Sequence, residues 1–169
     1  MARILLAEES PAERALARKT LLAAGHEIVE ATSAAAALER VIAEPFDVIV
    51  LDTALPDATP EEVVDAIRNN AEHALTPIVQ TISDREPEEA RRRWLRRAEP
   101  PVVRSALGDF AIERLSKPFA PHQLNEAIAR ALRFRDDLGK TEGNIDQRAR
   151  AFEEITSMQA EARANRRRW

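Results

Sequence analysis

The chain has no cysteine. That excludes a disulfide scaffold, a thiol nucleophile and a cysteine-ligated metal. Histidine is scarce: only His26, His73 and His122 occur among the 169 residues, and no two are close in sequence. A histidine-rich zinc site and a histidine-based catalytic triad are both disfavoured. No apolar run approaches the roughly 20 residues of a membrane span, so membrane insertion is not expected. Met1-Ala2-Arg3-Ile4 leads directly into an apolar stretch, without the zones of a secretion signal. The expected location is therefore the cytoplasm. Lysine is also sparse: Lys19, Lys117 and Lys140 are the only lysines among 25 basic residues, and the rest are arginine.

Hydrophobic residues make up 44% of the chain and charged residues 32%, enough apolar matter for a core and too much for wholesale disorder. The length suits one domain, or one domain with an extension. The net charge of -4 conceals an uneven distribution. Seven arginines fall between Arg85 and Arg104, and three more are consecutive at Arg166-Arg167-Arg168. A local arginine excess in an acidic chain points to a specific anion site more than to general nucleic-acid binding.

The pattern alternates strand and helix five times. Residues 3–7 are an apolar run. Ser10-Pro11-Ala12-Glu13 reads as a capping box with proline at the first helical position, and Gly25 as the stop. Residues 26–31 form a second strand, and Ser33 caps an alanine-rich helix to about Ala43. Residues 46–51 are a third strand ending at Asp52. Thr59-Pro60-Glu61-Glu62 is a second capping box, opening a helix to about Asn70. Residues 77–82 and 111–116 are the fourth and fifth strands. Pro87 opens an arginine-rich helix, and Pro121 opens a helix through about Phe134. Central strands apolar on both faces belong in a parallel sheet covered by helices on both sides. The expected fold is therefore a doubly wound α/β domain with a five-stranded parallel sheet of flavodoxin-like order 2-1-3-4-5. The domain spans 1–134, with an arginine-rich insert at 85–110. Residues 135–169 follow as a linker, from Asp136 to Asn144, and a helical, basic extension. In such sheets the site lies beyond the carboxyl ends of the strands, where Glu8, Glu9, Asp52 and Lys117 fall.

Ile4-Leu5-Leu6-Ala7-Glu8-Glu9-Ser10, Val50-Leu51-Asp52 with Leu55-Pro56, and Lys117-Pro118-Phe119 resemble the receiver domains of bacterial response regulators over residues 3 to about 134. The resemblance implies that Asp52 is the phosphoacceptor and that Lys117 pairs with phosphoryl oxygens. It also implies that Glu8, Glu9 and Asp52 hold Mg²⁺, and that Lys117-Pro118 is a cis bond. Two features depart from the pattern. Glutamates stand where receivers usually carry aspartates, and each is one methylene longer at a metal that tolerates distorted geometry badly. The hydroxyl position, counted from Pro77, falls on Ile82; Thr81 or Ser83 would serve only with a change of register. A weakened phosphoryl switch is therefore expected.

The stretch from Ile82 to Lys117 is also longer than one crossover helix needs. From Arg91 to Arg104 six arginines face one glutamate, a formal +5. Arg92 and Arg96, and Arg93 and Arg97, are like-charged pairs one helical turn apart, which destabilise a helix. A multivalent anion relieves that repulsion. Arginine suits phosphate and the O6/N7 edge of guanine, Trp94 supplies a stacking face, and Asp109 can accept from a guanine N1/N2 edge. Read blandly, Trp94 packs in a core and Phe110 anchors a loop. Arg104-Ser105-x-x-Gly108 is similar to part of a cyclic di-GMP receptor signature of another fold. Together these residues resemble the arginine-rich insert of the Cle subgroup of chemotaxis-type receivers, which bind cyclic di-GMP and act on the flagellar motor. The resemblance implies a ligand site of Arg91, Arg92, Arg93, Trp94, Arg96, Arg97, Arg104, Ser105, Asp109 and Phe110, with the nucleotide bound as an intercalated dimer. It implies a non-catalytic effector whose partner is the motor switch protein, recruited to the motor at the cell pole. Two rivals stand beside it: a phosphoreceiver signalling through Asp52, and a nucleic-acid adaptor whose affinity would scale with polymer length and fall steeply with salt.

Overall fold

Apolar residues run unbroken through Ile4–Ala7 and Val48–Leu51, and both runs lie inside a sheet whose two faces are covered. The computed structural model describes residues 1–83 and 111–140. Its strands are β1 (Arg3–Ala7), β2 (Glu27–Ala31), β3 (Val48–Asp52), β4 (Ile78–Ser83) and β5 (Ile112–Lys117). They form one parallel sheet in the order β2-β1-β3-β4-β5. Among the described residues the helices are α1 (Pro11–Ala23), α2 (Ala34–Ala43), α3 (Pro60–Arg68) and α4 (Pro121–Lys140). Side chains alternate across a strand, so each strand feeds two cores. Ile4, Leu6, Val48, Val50 and Val79 pack with Ala17 and Leu21 of α1 and with Leu124, Ala127 and Ile128 of α4. Leu5, Ile49, Leu51 and Ile78 pack on the other face with Ala37 and Val41 of α2 and Val63 and Ile67 of α3. Each wholly buried leucine or isoleucine contributes about 1.5–3 kcal/mol.

The helix ends follow the local chemistry, with one exception. Gly25, at φ 83°, closes α1: its N–H donates to the Leu22 carbonyl, and the His26 N–H to that of Leu21. Thr59 and Glu62 exchange both bonds of a capping box at α3. At α1 the box is only half made. The Glu13 N–H donates to Ser10 Oγ at 3.4 Å, but the Ser10 N–H donates to Glu8 instead of Glu13.

Several boundaries shift by a residue or two from the sequence reading, and two of the differences have a side-chain cause. The third strand opens at Val48, because Asp47 turns to bridge Arg3: its N–H donates to the Arg3 carbonyl, and its carboxylate accepts from the Arg3 N–H at 2.7 Å. The last helix does not stop near Phe134 but continues to Lys140, so the expected linker does not begin at Asp136. Arg135 pairs with Asp47 in the loop before β3 and with Asp136, tying the added turns to the domain. The expected helix after Pro87, the insert at 85–110 and the extension beyond Lys140 lie outside the described residues.

Candidate functional site

Parallel strands end on one edge of the sheet, and that edge collects Glu8 after β1, Asp52 at the end of β3 and Lys117 at the end of β5. Glu8 prolongs the β1–β2 ladder by one bond, its N–H donating to the Ala31 carbonyl at 3.0 Å. The loop that follows is clasped by Arg14, which donates to the Glu8 and Glu9 carbonyls at 2.9 and 3.1 Å. Both Glu8 carboxylate oxygens are engaged. Oε1 accepts from the Ser10 N–H at 2.9 Å, and Oε2 accepts from Lys117 Nζ at 2.6 Å. Lys117 also donates to Glu13 Oε2 at 2.5 Å and lies 3.1 Å from Asp52 Oδ1. Asp52 Oδ1 further accepts from the Ala54 N–H at 3.3 Å.

The cluster is buried on one side: the side chains of Asp52, Glu8 and Lys117 are 3%, 5% and 10% exposed, while that of Glu13 is 52% exposed. Burial pushes the Glu8 carboxyl above its ordinary value, and the Asp52 charge adds to that rise; Lys117 and the Ser10 N–H oppose it. Burial alone would lower Lys117. The hydrogen bonds to Glu13 and Glu8 and the charge of Asp52 outweigh it and hold the ammonium above its ordinary value.

The structure brings together Glu8, Asp52 and Lys117 among the expected residues, and leaves Glu9 out. Glu9 is exposed, and its link to the cluster is the carbonyl held by Arg14. Of the three residues expected to hold Mg²⁺, Glu8 and Asp52 lie in this cluster and Glu9 does not. Among the described residues no group of three or more such side chains is disposed to hold a metal ion. Lys117 Nζ stands between two of these carboxylates, 2.6 Å from Glu8 and 3.1 Å from Asp52. The hydroxyl expectation also changes. Thr81 pairs in register with Asp52, and Ser83 with Lys117, so strand alternation puts both on the pocket's face and Ile82 on the opposite one. No change of register is needed. Lys117-Pro118 is cis. Glu13 is the residue that sequence reasoning missed as part of the site. Its position three residues after Ser10 is the signature of a helix cap, and that local signal masked a contact made across the fold. Arg91, Arg92, Arg93, Trp94, Arg96, Arg97, Arg104, Ser105, Asp109 and Phe110 lie outside the described residues.

A doubly wound parallel sheet with an acidic pocket and a lysine at its strand ends defines a class of signalling module. The chain belongs to the response regulator receiver domain family, whose model matches residues 4–129. Among solved structures it is similar to the chemotaxis protein CheY4 of Vibrio cholerae, with 30% identity, a TM-score of 0.62, and 78% of this chain and 99% of that one covered. A sensor protein from Polaromonas sp. JS666 is 27% identical with a TM-score of 0.61, covering 77% of this chain and 94% of its own. The receiver domain of the sensor histidine kinase PA1611 from Pseudomonas aeruginosa PAO1 shares the fold at 19% identity, a TM-score of 0.62 and coverage of 78% and 97%; that structure holds a magnesium ion in its active-site cleft. No curated protein sequence matches this chain closely. Among the described residues no helix is long and apolar enough to cross a membrane.

Proposed function

We propose that this receiver is a non-enzymatic cyclic di-GMP effector that passes the second-messenger signal to a protein partner, the flagellar motor switch, in control of motility and surface attachment. One observation carries the reading. The segment joining β4 to the edge strand β5 holds six arginines against one glutamate between Arg91 and Arg104, a formal +5 that no requirement of the sheet explains. Cyclic di-GMP offers two phosphates and two guanine edges, the partners that arginine forks recognise. Trp94 supplies a stacking face and Asp109 an acceptor for a Watson–Crick edge. The pocket at the strand ends supports the reading indirectly. Lys117, which would pair with an incoming phosphoryl group, already donates to carboxylates.

Titration calorimetry of the full chain with cyclic di-GMP tests the proposal, with GTP and a mixed RNA as controls. Saturable binding of cyclic di-GMP alone is expected. No heat with cyclic di-GMP, or an affinity that grows with RNA length, sinks it. A second reading, a phosphoreceiver signalling through Asp52, is favoured by the position of that carboxylate at the end of β3, beside Lys117. It predicts Mg²⁺-dependent labelling by a small phosphodonor and no nucleotide affinity.

A further inference from the structure

We propose that Lys117 is the resident cation of the acidic pocket, locked there by Glu13 from α1, and that it stands in place of a divalent metal ion. An ammonium has three hydrogens and no acceptor. Lys117 finds three carboxylate oxygens: Glu13 Oε2 at 2.5 Å, Glu8 Oε2 at 2.6 Å and Asp52 Oδ1 at 3.1 Å. Two of its hydrogens are given to Glu13 and Glu8, and the Asp52 carboxylate completes the ring of charge around it. Both oxygens of Glu8 are engaged as well, since the other one accepts from the Ser10 N–H at 2.9 Å.

The fate of Glu13 shows that this arrangement overrides a local preference. Ser10-Pro11-Ala12-Glu13 and Thr59-Pro60-Glu61-Glu62 carry the same capping signature. At α3 the box closes: the Thr59 N–H donates to Glu62 Oε2 at 2.9 Å, and the Glu62 N–H to Thr59 Oγ1 at 3.3 Å. At α1 only the second of these bonds forms, and the glutamate reaches across the site to Lys117. The exchange leaves no donor orphaned, since Glu8 takes the Ser10 N–H that Glu13 gives up. A buried ammonium and a divalent ion between the same carboxylates would repel strongly at low dielectric. Mg²⁺ also demands near-octahedral geometry, and here each Glu8 oxygen is already held in direction by a hydrogen bond. This inference concerns the Asp52 pocket and stands or falls independently of nucleotide binding by the insert.

The chain has only three lysines, so selective ¹⁵N-lysine labelling of the full chain gives a small set of ammonium signals. The Lys117 signal is expected to exchange slowly with water and to stay in place when millimolar MgCl₂ is added. In Glu13→Gln its hydrogens should exchange faster while the other two lysine signals are unchanged, an effect that a purely helix-capping role would not produce. Lys117→Met should bind Mn²⁺, followed by the paramagnetic resonance of the free ion, roughly tenfold or more tightly than the parent chain, because a competing charge is gone. A Lys117 signal displaced by millimolar Mg²⁺ in the parent chain overturns the proposal, as does Mn²⁺ binding no tighter in Lys117→Met. Unchanged exchange in Glu13→Gln removes Glu13 from the lock. Should Lys117→Met fail to fold, the magnesium titration of the parent chain decides.

Discussion

Asp52 is a carboxylate whose accessibility and counter-charge are both set by its neighbours. It is 3% exposed and shares Lys117 with two glutamates. Acetyl phosphate with Mg²⁺ should therefore label it poorly, and Asp52→Ala should leave cyclic di-GMP affinity nearly unchanged. Stoichiometric, long-lived phosphorylation that altered nucleotide affinity would contradict this. Asp57 has a different task at the same scale. Its two oxygens accept from the Ala35 and Ala34 N–H groups at 2.9 and 2.8 Å, fastening the loop after β3 to the start of α2. Those two backbone bonds, Ala35 first, hold its carboxyl below the ordinary value. A lowered carboxyl binds its proton more weakly in the folded state than in the unfolded one. It therefore contributes stability that is present above the unfolded value of about 3.9 and is lost as pH falls through the folded one. Asp57→Ala should melt below the parent protein at pH 7, and the gap should close in strong acid. A gap independent of pH would show that the charge is not what matters.

Individual elements draw their stability from the sheet more than from their own propensity. Leu124, on α4, is 0% exposed in the cluster that joins α4 to β1, β3 and β4. Leu124→Ala should cost about 2–5 kcal/mol by chemical denaturation, combining lost transfer energy with a cavity. Leu16 on α1 is 50% exposed, and Leu16→Ala should stay within about 0.5 kcal/mol. The starts of α2 and α3 were legible because Ser33 and Thr59 accept from N–H groups three residues ahead, a bond confined to one turn. The end of α4 was not legible. Its final turns are held by a pairing between Arg135 and Asp47, and no local pattern announces a contact across that separation.

At the scale of the whole molecule, the two described cores draw on all five strands and on α1 to α4. Arg→Ala changes at Arg92, Arg96 or Arg97 should leave the melting temperature of the ligand-free protein nearly unaltered. Each should weaken cyclic di-GMP roughly tenfold or more, since a good bidentate arginine–guanine contact is worth about 1–3 kcal/mol. Hydrogen exchange separates the two parts directly. Added cyclic di-GMP should protect amides between Arg85 and Phe110 and have much less effect around Asp52. Protection centred on Glu8, Asp52 and Lys117 instead would place the ligand at the strand ends.

The strand order and the location of the acidic site could be read from the chain alone. Apolar runs two-sided in character demand a covered parallel sheet, and Asp52 and Lys117 sit where such runs stop. Periodicity and end signals are local, and a linear text records them. The state of the site was a tertiary matter. Glu8 and Glu9 are adjacent in the text, yet one is buried against Lys117 and the other faces solvent. Glu13 carries the signature of a cap and spends its carboxylate on a lysine 104 positions away, in a bond of 2.5 Å. Which of several carboxylates an ammonium chooses depends on distance and burial in three dimensions, and only the folded placement of α1 brings Glu13 to the lysine at the end of β5.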